Sequence, residues 1–281
     1  MLISMKHTLK EAREKGYCVP ALGIGNEHNL RACLRAAEEK QSPVILLVMY
    51  GNNPDIEYFG RIATDLARRA AVPVSIILDH GAKYEHAVSA IRAGFTDVMI
   101  DCSSLPYAEN AAQVKEVVKA AHAVGVGVEA ELGHVGSGSA GTEMNGEGAG
   151  DSVFTVPAEA VNFAAETEID ALAVSIGTAH GAYRGTPKLQ FDLLQELREK
   201  VPVPLVLHGG SGTGDENLAK ACRMGICKLN IAYDLYRGGI DHLLAHDVSG
   251  NGAYGLYRLL GQGIQEAAEH AIEICGSAGR A

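Results

Sequence analysis

The chain has 281 residues, 47% of them hydrophobic, and a formal net charge of −10. That length suits one large domain, such as an α/β barrel of roughly 250 residues, and the apolar content supports a sizeable core. The acidic balance and the lack of a Lys/Arg block argue against nucleic acid as a partner. The longest apolar run, Val44–Tyr50, falls far short of the ~18 residues a membrane span needs.

The first stretch, "MLISMKHTLKEAREKG", reads as a charged helix and not as a signal peptide. Eight short apolar runs follow: "YCVPALGI", "PVILLVM", "PVSIILD", "DVMID", "VGVEAEL", "DALAVSI", "PLVLH" and "CKLNIA". They are rich in branched residues and lack polar alternation, as strands buried on both faces do. Amphipathic segments lie between them. In "NAAQVKEVVKAAHAVG", Val114, Val117, Val118 and Ala121 share one stripe, and Gly125 ends the helix. In "GDENLAKACRMG", Asp215 is placed as an N-cap, with Gly225 past the C-terminal end. Eight strand–helix repeats imply a single (β/α)8 TIM barrel over residues 1–281, with an extra C-terminal helix from Ala253. A doubly wound open sheet is the alternative, but no strand is followed by GxGxxG; "GIGNE" is only a partial match.

Two connections are long: Gly133–Val156 after the fifth strand and Gly177–Leu189 after the sixth. Long loops in compact domains usually carry function. The first holds seven glycines and is expected to be mobile and to close over a ligand.

In a barrel the C-terminal strand ends ring the active site. Here they carry Asp79 and His80, Asp101, Glu129 and Glu131, His180, His208 and Asn230. Any one of these histidines is most simply a hydrogen-bonded strand-end residue. Three at matching strand ends favour a shared Zn²⁺ with an open coordination position. Asp79 and His80 are neighbours, so in regular β geometry they face opposite ways, and the strand must distort for both to serve one site. Asp101 and Glu131 either support the histidines or hold a second cation. Glu129 has the alternative of being buried and paired. His134, close to Glu131, is the least settled of the remaining histidines. In "HGGSG", Gly209, Gly210 and Ser211 stand where barrels bind phosphate; a tight βα turn is the plainer explanation. The six cysteines include no CxxC pair and read as buried thiols in a reducing cytosol.

Taken together, "LDHG", "MIDCSSLP", "VEAELG", "IGTAHGAYRGTPKL", "LVLHGGSG", "GICKLNIA" and the terminal "CGSAGRA" resemble the class II, metal-dependent fructose-/tagatose-bisphosphate aldolase family, in the family's order and over nearly the whole chain. The resemblance implies reversible cleavage of a ketose 1,6-bisphosphate to dihydroxyacetone phosphate and an aldehyde. It implies catalytic zinc on His80, His180 and His208, with Asp79 as the acid–base residue at the aldehyde oxygen. Asp101 and Glu131 match positions that hold a second divalent ion. Gly181, Gly209, Gly210 and Ser211 match the ketone-side phosphate site, and Asn230 to Tyr233 the substrate segment of the last strand. Arg280 matches a tail residue that reaches a neighbouring subunit's aldehyde-side phosphate. A monovalent cation, a homodimer or homotetramer, and a cytoplasmic location go with the family. Glu143, or else Glu147, is expected to be the base toward dihydroxyacetone phosphate.

The chain departs from the pattern at Gly23, Met49, Ile77 and Tyr233, and in the loop around Ser139 and Ala140. Gly23 and Met49 replace polar groups expected to meet the substrate. These changes leave two other readings: an aldolase for a different phosphorylated ketose, or a sugar-phosphate-binding barrel without catalysis. A lysine-based aldolase is the runner-up mechanism: few lysines lie at strand ends, Lys228 on the last strand being the exception, and the histidine trio speaks against it.

Overall fold

A computed structural model describes residues 1–53, 55–136, 153–181 and 185–281. Eight parallel strands close in sequence order into a barrel. They are β1 (Val19–Gly23), β2 (Val44–Met49), β3 (Val74–Gly81), β4 (Asp97–Ile100), β5 (Gly127–Leu132), β6 (Ala171–Val174), β7 (Leu205–Leu207) and β8 (Ile226–Ile231). Their burial is nearly unbroken, which accounts for the missing polar alternation.

The helices are α1 (Met5–Lys15), α2 (Glu27–Glu39), α3 (Ile56–Arg69), α4 (Tyr84–Ala93), α5 (Tyr107–His122), α6 (Pro157–Thr167), α7 (Phe191–Lys200), α8 (Asp215–Arg223), α9 (Tyr233–Leu244) and α10 (Leu256–Cys275). On α5 the buried set includes Val114, Val117, Val118 and Ala121, the stripe expected from periodicity. Asp215 does not cap α8: Gly214 holds that position, and the Asp215 carboxylate instead accepts from His270 Nε2 at 2.8 Å. The extra helix α10 packs against α9, α2 and α8. Glycine makes its contact with α9 possible, because a Cβ on Gly263 would stand 2.4 Å from the Gly238 carbonyl oxygen.

Two features position the site. The first is α1, which crosses the N-terminal end of the barrel. Its Met5, Leu9 and Ala12 pack into one cluster with inward residues including Ile45, Ile77, Met99 and Val206. Asp97, fully buried below them, accepts from the Met5 amide at 2.9 Å and the Ser4 hydroxyl at 2.6 Å. The floor of the barrel is thereby covered by α1. The second feature is a slip in β3. Its register against β4 shifts between Leu78 and Gly81, and His80 adopts φ +48°. This is the local distortion that the Asp79–His80 pair requires.

Candidate active site

At the C-terminal mouth a cavity of about 480 Å³ is lined by Asp79, His80, Asp101, His134, His180 and Asn230, with Met49, Tyr233 and the glycine loops at its edge. A larger cavity of about 660 Å³ opens at the floor beside Lys6, Arg13 and Arg198, but it holds no histidine, so size alone does not mark the chemistry.

The three histidines converge. His80 Nε2 lies 3.1 Å from His180 Nε2 and 3.0 Å from His208 Nδ1. The outer nitrogens of two rings are held by carboxylates: His80 Nδ1 is 2.7 Å from Asp101 Oδ2, and His208 Nε2 is 2.8 Å from Glu129 Oε1. If those outer nitrogens donate, the inner nitrogens of His80 and His208 present lone pairs to one another. Such an arrangement is repulsive unless a positive charge sits among them. Charge on the rings follows the same logic. Burial opposes a proton on His80, but Asp79, Asp101 and Glu131 surround it and raise its pKa to about 9. Burial, then His80 and His208, lower His180 to about 4.

Glu131 points the same way. Its Oε1 accepts the Val135 amide at 2.8 Å, while the buried Oε2 has no hydrogen-bond partner. Its donor atom, one on His80 and one on Asp101 all lie within 4.8 Å of one another. Burial, then the charge of Asp101, raises its pKa. An orphaned carboxylate oxygen beside inward-facing imidazoles is a donor set that suits a divalent cation.

Behind the histidines a buried ion pair holds the frame. Lys228 Nζ is 2.9 and 3.1 Å from the two Glu129 oxygens, and neither side chain is exposed to solvent. Burial pushes Glu129 up, but Lys228 and His208 outweigh it and hold the pKa at about 2. Lys228 also donates to Asn230 Oδ1 at 2.8 Å, and Asn230 Nδ2 donates to Asp79 Oδ1 at 3.1 Å. Lys228 is therefore enclosed and engaged, and it does not line the cavity. Glu129 takes the buried, paired alternative.

The substrate-side residues are placed unevenly. Gly181, Gly209, Gly210, Ser211, Asn230 and Tyr233 all line the cavity. The glycines of "HGGSG" are required by neighbouring backbone: a Cβ would stand 2.3 Å from Ala179 O at Gly209 and 2.7 Å from Asn230 O at Gly210. The Gly210 amide is committed to Asn230 O at 3.1 Å and the Gly212 amide to Asp234 Oδ2 at 3.0 Å. Ser211 Oγ accepts from the Ala232 and Asp234 amides and keeps its own proton to donate. Gly23 has a steric cause too, since a Cβ there would meet Ala232 Cβ at 2.6 Å. Arg280 does not join the mouth of its own chain. It lies at the floor, over the Tyr17 ring at 5.5 Å, and the tail is not frayed, because Gly279 N bonds Lys40 O and Ala281 N bonds Gln41 O, each at 2.9 Å. Glu143, Glu147, Ser139 and Ala140 lie outside the described residues.

Ser103, which the sequence did not single out, forms a polar edge with His134. Ser103 Oγ reaches Asp101 Oδ1 at 2.7 Å and His134 Nδ1 at 2.9 Å. The signal for His134 was its spacing from Glu131; Ser103 gave none. His134 and Val153 also exchange two backbone hydrogen bonds, at 2.7 and 2.9 Å, tying the ends of the glycine-rich stretch together.

The family model described as fructose-bisphosphate aldolase class-II matches residues 3–280. The chain belongs to the class II fructose-bisphosphate aldolase family. Among solved structures, the YdjI aldolase from Escherichia coli K12 is 32% identical, with TM-score 0.88 and full coverage of both chains. A putative fructose-1,6-bisphosphate aldolase from Coccidioides immitis is 28% identical at TM-score 0.85, covering 98% of this chain and 96% of that one. The fructose-bisphosphate aldolase from Campylobacter jejuni, 21% identical at TM-score 0.83 over 99% of this chain and 96% of that one, shares the fold. As a family member the chain is an aldolase built on a TIM barrel.

Proposed function

We propose that this aldolase is metal-dependent and cleaves a ketose 1,6-bisphosphate, of fructose or tagatose type, to dihydroxyacetone phosphate and an aldehyde. The observation that carries the reading is the meeting of three imidazole nitrogens, two of the rings braced from behind by Asp101 and Glu129. His80, His180 and His208 would hold a zinc ion, which when bound supplies a Lewis acid for the charge that develops on the ketone-side fragment. Asp101 and Glu131 would hold a second divalent ion. Asp79, 7% exposed and oriented by Asn230, keeps a carboxylate at the cavity wall, where it takes the proton from the C4 hydroxyl as the aldehyde departs and returns it to the aldehyde oxygen in condensation. Ser211, Gly181 and Gly209 line the ketone-phosphate side; Tyr233, half exposed at the rim, offers a hydroxyl there. With Lys228 enclosed in its ion pair, a Schiff-base route lacks an accessible amine.

Exposed Ile240 and Leu244 on α9 and Tyr254 and Tyr257 by the start of α10 support assembly into a homo-oligomer. The deciding experiment is a coupled cleavage assay with fructose and tagatose bisphosphates, before and after chelation. Activity on one ketose, lost on chelation and restored by Zn²⁺, is expected. Full activity in metal-free protein, with a borohydride-trapped lysine, would overturn it. Zinc binding without turnover of either sugar, or of other phosphorylated ketoses, would point to a sensor.

A further inference from the structure

Three of the six cysteines meet at the foot of the barrel, far from the histidines. Cys18 leads into β1, Cys222 stands near the end of α8, and Cys275 closes α10. One sulfur from each lies within 4.8 Å of the others. All three residues are buried, at 0, 3 and 1% exposure, inside the main apolar cluster. The backbone fixes two of them, since the Cys18 amide donates to the Cys275 carbonyl at 3.0 Å. Positions 18, 222 and 275 are too far apart in sequence for any spacing rule to reveal the trio.

We propose that Cys18, Cys222 and Cys275 form a second metal site, for a soft d¹⁰ cation of low coordination number, of which Cu(I) is the type. Thiolate donors select soft ions. An ion bonded to three sulfurs at about 2.3 Å places them about 4 Å apart, which fits this spread. A tetrahedral zinc centre wants a fourth ligand, and among the described residues no fourth His, Cys, Asp or Glu joins the group. Three-coordinate ions have no such need. The segment after Cys275 covers the trio's end of α10 and is held down by the Gly279–Lys40 and Ala281–Gln41 backbone hydrogen bonds and by buried Ser277 against Ser42, so a metal would enter as that segment opens. The plain alternative is that three small side chains fill a gap in the core.

The test uses the full chain with Zn²⁺ already bound at the histidines, without oxygen and with a non-thiol reductant. Cu(I) is delivered from a competing chromogenic chelator. One tight equivalent is expected, with Cys222→Ser and Cys18→Ser each weakening binding about 100-fold or more, and Cys33→Ser, a buried cysteine outside the trio, leaving it unchanged. X-ray absorption of the loaded wild-type protein should show sulfur neighbours only, a readout independent of whether the variants fold. Failure to bind Cu(I), nitrogen neighbours, or equal binding by the Cys33 and Cys222 variants would show that the trio is packing alone.

Discussion

Two neighbouring residues at the end of β3 divide the labour. Asp79 has its carboxylate held by Asn230, whereas His80 turns into the imidazole cluster. Asp79→Ala is therefore expected to keep near-normal bound zinc while lowering kcat by about 10²–10⁴-fold, the usual scale for a general acid–base residue. His208→Ala should lose the metal itself. Metal analysis alongside kinetics separates the two, and the reverse pattern would exchange the roles. Glu129 is a different case, because among the described residues its partner Lys228 has no other anion beside it. Glu129→Gln leaves an ammonium buried beside a neutral amide and should cost about 3–5 kcal/mol in denaturant unfolding. Adding Lys228→Met should recover much of that loss; a purely additive double variant would mean the pair does not act as a unit.

At the scale of elements, the floor contact between α1 and β4 has a pH signature. Burial raises the Asp97 pKa to about 6, against the help of Ser4 and Met5. The sign follows from linkage. A carboxyl whose folded pKa is raised contributes stability that is fully present below its unfolded value near 3.8 and is lost as pH climbs through about 6. The shift corresponds to about 3 kcal/mol at most. Asp97→Asn should thus flatten the dependence of Tm on pH between about 4 and 6.5, the window bounded by the two pKa values. An unchanged slope would assign it to other carboxyls. The elements are also where sequence and structure agree best. The eight strands, the buried stripe of α5 and the closing helix were legible because burial on both faces and helical period write themselves into residue order. Asp215 was misplaced by one position because a glycine, without a side-chain cap, holds the turn before it. The glycines at 23, 209 and 210 are invisible in a different way, since each answers to atoms from another part of the chain: Ala232, Ala179 and Asn230.

At the scale of the whole molecule, the tail is a clasp on the barrel floor. Removing Gly279–Ala281 deletes three backbone hydrogen bonds, to Lys40, Gln41 and Ser277, and the Arg280–Tyr17 contact. A loss of about 1–2 kcal/mol, or a Tm drop of roughly 2–8 °C, is expected. Kinetics on the same truncation decide whether Arg280 also serves a neighbouring subunit: a KM raised for a bisphosphate more than for a monophosphate supports that role, and equal effects deny it. The converging histidines were readable because strand ends in a barrel share one rim. The thiol trio and the Lys228–Glu129–His208 chain were not, because closure of the barrel and packing of the last helix bring together residues that no local pattern links.

The covered floor under α1 also has a kinetic meaning. With α1 covering the floor, the two fragments of a cleaved ketose would leave through the mouth one after the other, the one seated against the histidines and Asn230 last. Product inhibition would then be unequal: the inner fragment competes with the incoming ketose for the empty pocket, while the outer one inhibits noncompetitively. Initial-rate patterns with each fragment added separately would reveal that order, and symmetrical inhibition would mean that the mouth is wide enough for either to leave first.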